Sequence, residues 1–83
     1  MEYTLTGHAR SALAKRKIAM EWLEIAIADP MLVQPDLVDP DLEHRLAPIP
    51  EHGNRVLRVI VNNSARPIRV VTLFFDRKMR GRL

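Results

Sequence analysis

Five of the six prolines fall between residues 30 and 50. Proline has no backbone N–H and clashes within a helix, so this segment excludes a long helix and admits only short or edge strands. It divides the 83-residue chain into a stretch that reads as helix and a stretch that reads as strand. A chain of this length forms one small domain, over residues 1–83, and buries about 60–65% of the surface its unfolded form exposes.

Before the prolines the apolar spacing is helical. Thr6 is a candidate N-cap, with a hydroxyl able to accept the free N–H of residue 8 or 9. From Gly7, residues Ala9, Ala12, Leu13 and Arg16 share one face at 100° per residue, and the helix is expected to end near Arg16–Lys17. A second helix is expected over about 19–28, with Ile18 and Leu23 spaced as a hydrophobic staple. Asp29-Pro30 closes it, because a residue before proline avoids the α region.

After the helices the period changes. A short strand fits near 31–34. "LEHRLA", 42–47, alternates Leu42, His44 and Leu46 against Glu43, Arg45 and Ala47, the pattern of a half-buried strand. "PEHGN", 50–54, is a turn by composition. "RVLRVIVN", 55–62, and "IRVVTLFFD", 68–76, are the two strongest strands, joined through "NNSARP". The last strand is apolar on both faces and is expected to be central or covered twice. Phe74 and Phe75 then point to opposite faces. The tail, 77–83, reads as frayed. The expected fold is α+β, with two helices on one face of a three- to four-stranded, mainly antiparallel sheet in the order α-α-β-β-β-β.

Charge is uneven. Residues 29–51 hold six acidic side chains and one basic; residues 52–83 hold eight basic and one acidic. The last third is therefore strongly positive. Either it meets an anionic partner, or it partly neutralises the acidic middle. The chain has no cysteine, which excludes disulfides and thiolate metal sites. No apolar run approaches the roughly 20 residues needed to span a membrane, and residues 1–20 lack a signal-peptide pattern. No membrane association and a cytoplasmic location are expected.

Arg16 falls in the apolar arc of helix 1. It is either a buried staple paired with Asp29 or Asp36, or a cation that binds substrate phosphate. His8, His44 and His52 do not follow a metal-ligand spacing, although His44 and His52 flank a turn across which they are able to meet; no metal and no cofactor are expected. Only three glycines are present, far apart, so no phosphate-cradling loop exists.

"HARSALAKRKI" resembles the first helix of small bacterial domains of unknown function related to the BrnT and RelE/ParE toxins. In that group a His-Ala pair, a mid-helix apolar residue and Arg-Gly-Ile follow one another; here they are His8-Ala9, Leu13 and Arg16-Lys17-Ile18. "IAIADP", 25–30, matches the end of the group's second helix, and "VVTLF", 70–74, its last strand. Two positions depart from the pattern. Lys17 replaces a glycine at a left-handed turn, and Ala19 replaces a Ser or Thr helix cap. Each is expected to cost about 1 kcal/mol.

The resemblance implies the barnase–EndoU–colicin–RelE type of fold and metal-independent RNA cleavage. It places His8 and Thr72 as catalytic groups and Arg58 or Arg69 as basic substrate-binding groups. Such cleavage needs an acid, a base and cations for the charged phosphorane, which suits imidazole and guanidinium. His8 is either that acid or base, or a histidine at the rim of a helix face. Arg58 and Arg69 lie in paired strands and are either neighbouring phosphate ligands or part of a solvated face. The implied partners are RNA or the ribosome, a small antitoxin-like protein, or a second copy in a homodimer. The alternative is a non-catalytic protein-interaction module of the same fold.

Overall fold

Thr6 does two things at once. Its Oγ1 accepts the Ala9 N–H at 3.0 Å, capping the first helix, and donates to the Val71 carbonyl at 2.9 Å, tying that helix start to the last strand. These contacts belong to a computed structural model that describes residues 2–83. Its strands are β1 (Tyr3–Leu5), β2 (Leu32–Pro35), β3 (Leu42–Ile49), β4 (Arg55–Asn62) and β5 (Ile68–Phe75); its helices are α1 (Gly7–Arg16) and α2 (Met20–Ala28).

The fold is α+β, with the expected helix-then-sheet order, but the sheet differs from expectation. It has five strands in the order β1-β5-β4-β3-β2 and is mixed, because β1 pairs parallel with β5 while the other pairs are antiparallel. β1 has three residues, too few for a period of two to register in a sequence. It makes β5 an internal strand, in keeping with the apolar character of both its faces. A register shift at Ile60/Val61 sets Thr72 opposite Ile60 and Val70 opposite Val61. Val71 is the extra residue of this bulge, and its carbonyl is the one Thr6 reaches.

Both helices cover one face of the sheet. Ala9, Ala12, Leu23, Ala26 and Ile27 pack with Ala47, Ile49, Leu57, Val59, Val61, Val70 and Leu73 in one core. Arg45 fastens α2 to that face by donating to the Ile27 carbonyl at 2.8 Å, in the last turn, where a cation is favoured. The prolines sit where a donor is not needed. Asp36 N–H donates to Leu42 in β3, so Pro35, one residue back, turns its nitrogen to the open edge of β2. Pro48 faces the β2 side beyond the last β2 pairing, which stops at Leu46.

Arg16 is exposed, not a buried staple, and pairs with neither Asp29 nor Asp36 among the described ion pairs. The cause lies one residue further on. Lys17 adopts φ 52°, ψ 49°, and its N–H bonds the Ala14 carbonyl while Ile18 N–H bonds that of Leu13. This is a Schellman turn, which folds the residue after the left-handed position back on the helix. Ile18, 6% exposed, therefore continues the stripe of Ala9, Ala12 and Leu13 in place of Arg16. The tail is not frayed either. The Asp76 side chain caps a 3₁₀ turn, Arg77–Met79, and Arg80 donates to the Gly53 carbonyl at 3.0 Å.

A lysine at a left-handed position carries strain that glycine lacks. Lys17→Gly is expected to stabilise the domain by about 1 kcal/mol and to raise its melting midpoint by about 4–8 °C, as followed by circular dichroism.

Candidate functional site

Among the described residues no α-helix covers the second face of the sheet, and its polar centre is Arg58. Arg58 alternates with the core residues Leu57 and Val59, so its side chain leaves the helix side. It stands opposite Leu46 in β3 and Phe74 in β5. Its guanidinium reaches Asp76 through Nε at 2.9 Å and Nη2 at 2.8 Å. Its Nη1 lies 2.8 Å from His44 Nδ1 and 3.3 Å from Gln34 Oε1. His44 Nε2 in turn lies 2.7 Å from Asp36 Oδ1. Guanidinium only donates, so Nδ1 accepts and the ring proton belongs on Nε2, toward Asp36.

The two carboxylates of this chain of contacts are held ionised. Asp36 is lowered to about 2 by the Asp39 backbone N–H, then by the His44 hydrogen bond and the Val38 N–H. Burial pushes Asp76 upward, but the hydrogen bond from Arg58, the N–H groups of Lys78 and Met79 and the charge of Arg58 outweigh it, leaving the carboxyl below its usual range. Asp36–His44–Arg58–Asp76 thus joins the loop after β2, two central strands and the start of the tail. Sequence reasoning missed this line, because its members are separated by 8, 14 and 18 residues. The signal available was the alternation that puts His44 and Arg58 on one face.

The residues singled out from the sequence do not converge. His8 is exposed on the first turn of α1, in the helix layer. Thr72 precedes the core residue Leu73 and faces the other side of the sheet. Arg58 is opposite Phe74 and Arg69 opposite Asn62, four residues apart along β4, or roughly 13 Å at 3.3 Å per residue. Arg69 is exposed, whereas the Arg58 fork is engaged within the chain. His44 and His52 do not meet: His52 stacks on Trp22 with ring centroids 4.8 Å apart and lies 4.9 Å from Phe75. Among the described residues no cluster of His, Asp and Glu is arranged to hold a metal ion. Nor is any helix among the described residues long and apolar enough to cross a membrane.

A different set does converge. Arg16, Arg55, Arg77 and Arg80 line a groove of about 530 Å³ with Phe74, Phe75 and Asp76, where β5 gives way to the tail. The single acid there is already engaged by Arg58. The Schellman turn that excludes Arg16 from the core leaves it on this rim. A concavity of about 610 Å³ at Glu2, Asn63, Arg66, Pro67 and Ile68 holds one cation and one acid and lacks such an excess.

Residues 5–75 match the model of one family, a domain of unknown function, DUF4258. No curated protein and no solved structure matches the chain.

Two outcomes test the Arg58 line. Arg58→Ala leaves Asp76 and His44 without their partner and is expected to cost about 2–3 kcal/mol in urea denaturation, with Arg58→Lys intermediate. Carboxyls depressed by folding add stability that is complete above about pH 4 and is lost as the pH falls toward 2. The melting temperature of Asp36→Asn is expected to fall less steeply than wild type across that interval.

Proposed function

The chain belongs to the DUF4258 family, and we propose that it is a toxin-like, RNA-binding domain related to BrnT and RelE/ParE that works in the cytoplasm. The groove carries this reading. Four arginines border it, against one carboxylate that Arg58 already engages. Guanidinium pairs bidentately with phosphate oxygens, and aromatic side chains accept bases of any sequence by stacking. Phe74 supplies that aromatic surface; Phe75 also borders the groove, with its ring packed toward Trp22 and His52. Arg69 is exposed at the opposite end of β5 and stands outside the groove.

The proposal is for binding. Cleavage would add His8 as acid or base, and His8 and Thr72 lie on opposite sides of the sheet. A second reading, a non-catalytic interaction module, is supported by Leu37 and Val38, which are 98% and 90% exposed beside the open edge strand β2. A small antitoxin-like protein or a second copy would be its partner.

Fluorescence anisotropy with a single-stranded RNA oligonucleotide tests the groove. Changing Arg77 and Arg80 together to Glu is expected to weaken binding about ten-fold or more. It is also expected to make the plot of log affinity against log salt shallower by roughly 1.4, at about 0.7 per lost phosphate contact. Equal affinity in the two proteins overturns the reading. His8→Ala is expected to bind as wild type does; RNA cleavage by wild type that His8→Ala loses would place catalysis on the same domain.

A further inference from the structure

The loop between β2 and β3 displays Leu37 and Val38 in full, yet it is not a loose loop. Asp36 Oδ2 accepts the N–H groups of Val38 at 3.2 Å and Asp39 at 3.0 Å, while its Oδ1 holds His44. Asp39 Oδ1 accepts the Asp41 N–H at 2.9 Å, and the Asp41 side chain accepts Ser64 Oγ at 3.0 Å. The Asp41 carbonyl accepts the Asn63 N–H as well. The chain therefore holds two adjacent aliphatic side chains outward, between carboxylates, in a fixed shape. Such an arrangement is ready for a partner, because the ordering it requires is already in place.

The groove at the other end of Arg58 has the complementary character. Four arginines and two phenylalanines line it, and its volume of about 530 Å³ is large enough to receive two aliphatic side chains. We infer that Leu37 and Val38 of one molecule dock in the Arg16–Arg55–Arg77–Arg80 groove of a second copy, with Asp39 and Asp41 facing its arginines. The loop is pinned at both ends and exposed in its own molecule, so the occupant comes from another copy. The two surfaces differ, so the contact is heterologous and propagates head to tail. It is also small, which places it among weak, concentration-dependent associations. The inference shares the groove with the RNA reading but does not need RNA to bind there.

Sedimentation velocity of the purified full chain tests it. From ~10 μM to ~1 mM the weight-average sedimentation coefficient is expected to rise, and the rise is expected to vanish at ~0.5 M salt, where screening acts over a few ångström. Leu37→Ser with Val38→Ser alters only exposed side chains and is expected to stay monomeric at every concentration. Arg77→Glu with Arg80→Glu is expected to stay monomeric too, and matching far-ultraviolet circular dichroism checks that both variants fold. Mixed, the first supplies an intact groove and the second an intact loop, so the pair is expected to form a capped one-to-one complex. That complex, from two variants monomeric alone, is the supporting outcome. A wild type that stays monomeric, or one whose association survives in either variant, overturns the inference. The loop variant is expected to keep its RNA affinity, so failure of self-docking and failure of RNA binding read out separately.

Discussion

The Arg58 guanidinium gathers side chains from three parts of the chain: Gln34 in β2, His44 in β3 and Asp76 at the head of the tail, and through His44 it reaches the Asp36 loop. A single layer of helices leaves the far side of a sheet to be finished by other means. Leu46 and Val56 lie on that far side, at 0% and 1% exposure, because the chain folds back around them. A cation held by one carboxylate, an imidazole and an amide, with a second carboxylate behind the imidazole, draws those returning segments inward. Desolvating such groups is tolerable only because each is partnered, and no buried side-chain polar atom among the described residues lacks a hydrogen bond.

The helix face follows a different logic. Its core is aliphatic and its geometry is decided at helix ends. Thr6 fixes where α1 begins and which strand it lies against; Lys17 fixes where it stops and returns Ile18 to the interior. Those two ends account for the outward position of Arg16. A strained backbone residue thereby contributes to the electrostatics of a groove that its own side chain does not line.

How much of this is legible in the sequence depends on the range of the interaction. Thr6, the two helices, the proline-bounded short strand and β4 follow from local chemistry and from periods of 3.6 and 2, and their limits agree with the structure to within two residues. The left-handed turn at Lys17 is legible too, but its consequence for Arg16 is not, because helical periodicity assumes that the helix continues. β1 escapes notice because three residues contain no period. The candidate groove draws on α1, β4, β5 and the tail, so it exists only once the sheet has been assembled. His8 and Thr72 are individually visible in the sequence; that the sheet separates them is a property of topology.

The parallel pairing of β1 with β5 bears on the order in which the chain acquires structure. Tyr3–Leu5 meets its partner only after residues 68–70 exist, and the Thr6 tether waits for Val71. During synthesis α1 and α2 emerge first, yet the strands that form their floor come last. The meander from β2 to β5 has only hairpin-range connections and can assemble first, with the helices closing onto it afterward. A nascent chain cut short before β5 would have β3 and β4 for α2 to cover but would leave the apolar side of α1 in water, a state that invites aggregation or capture by a chaperone.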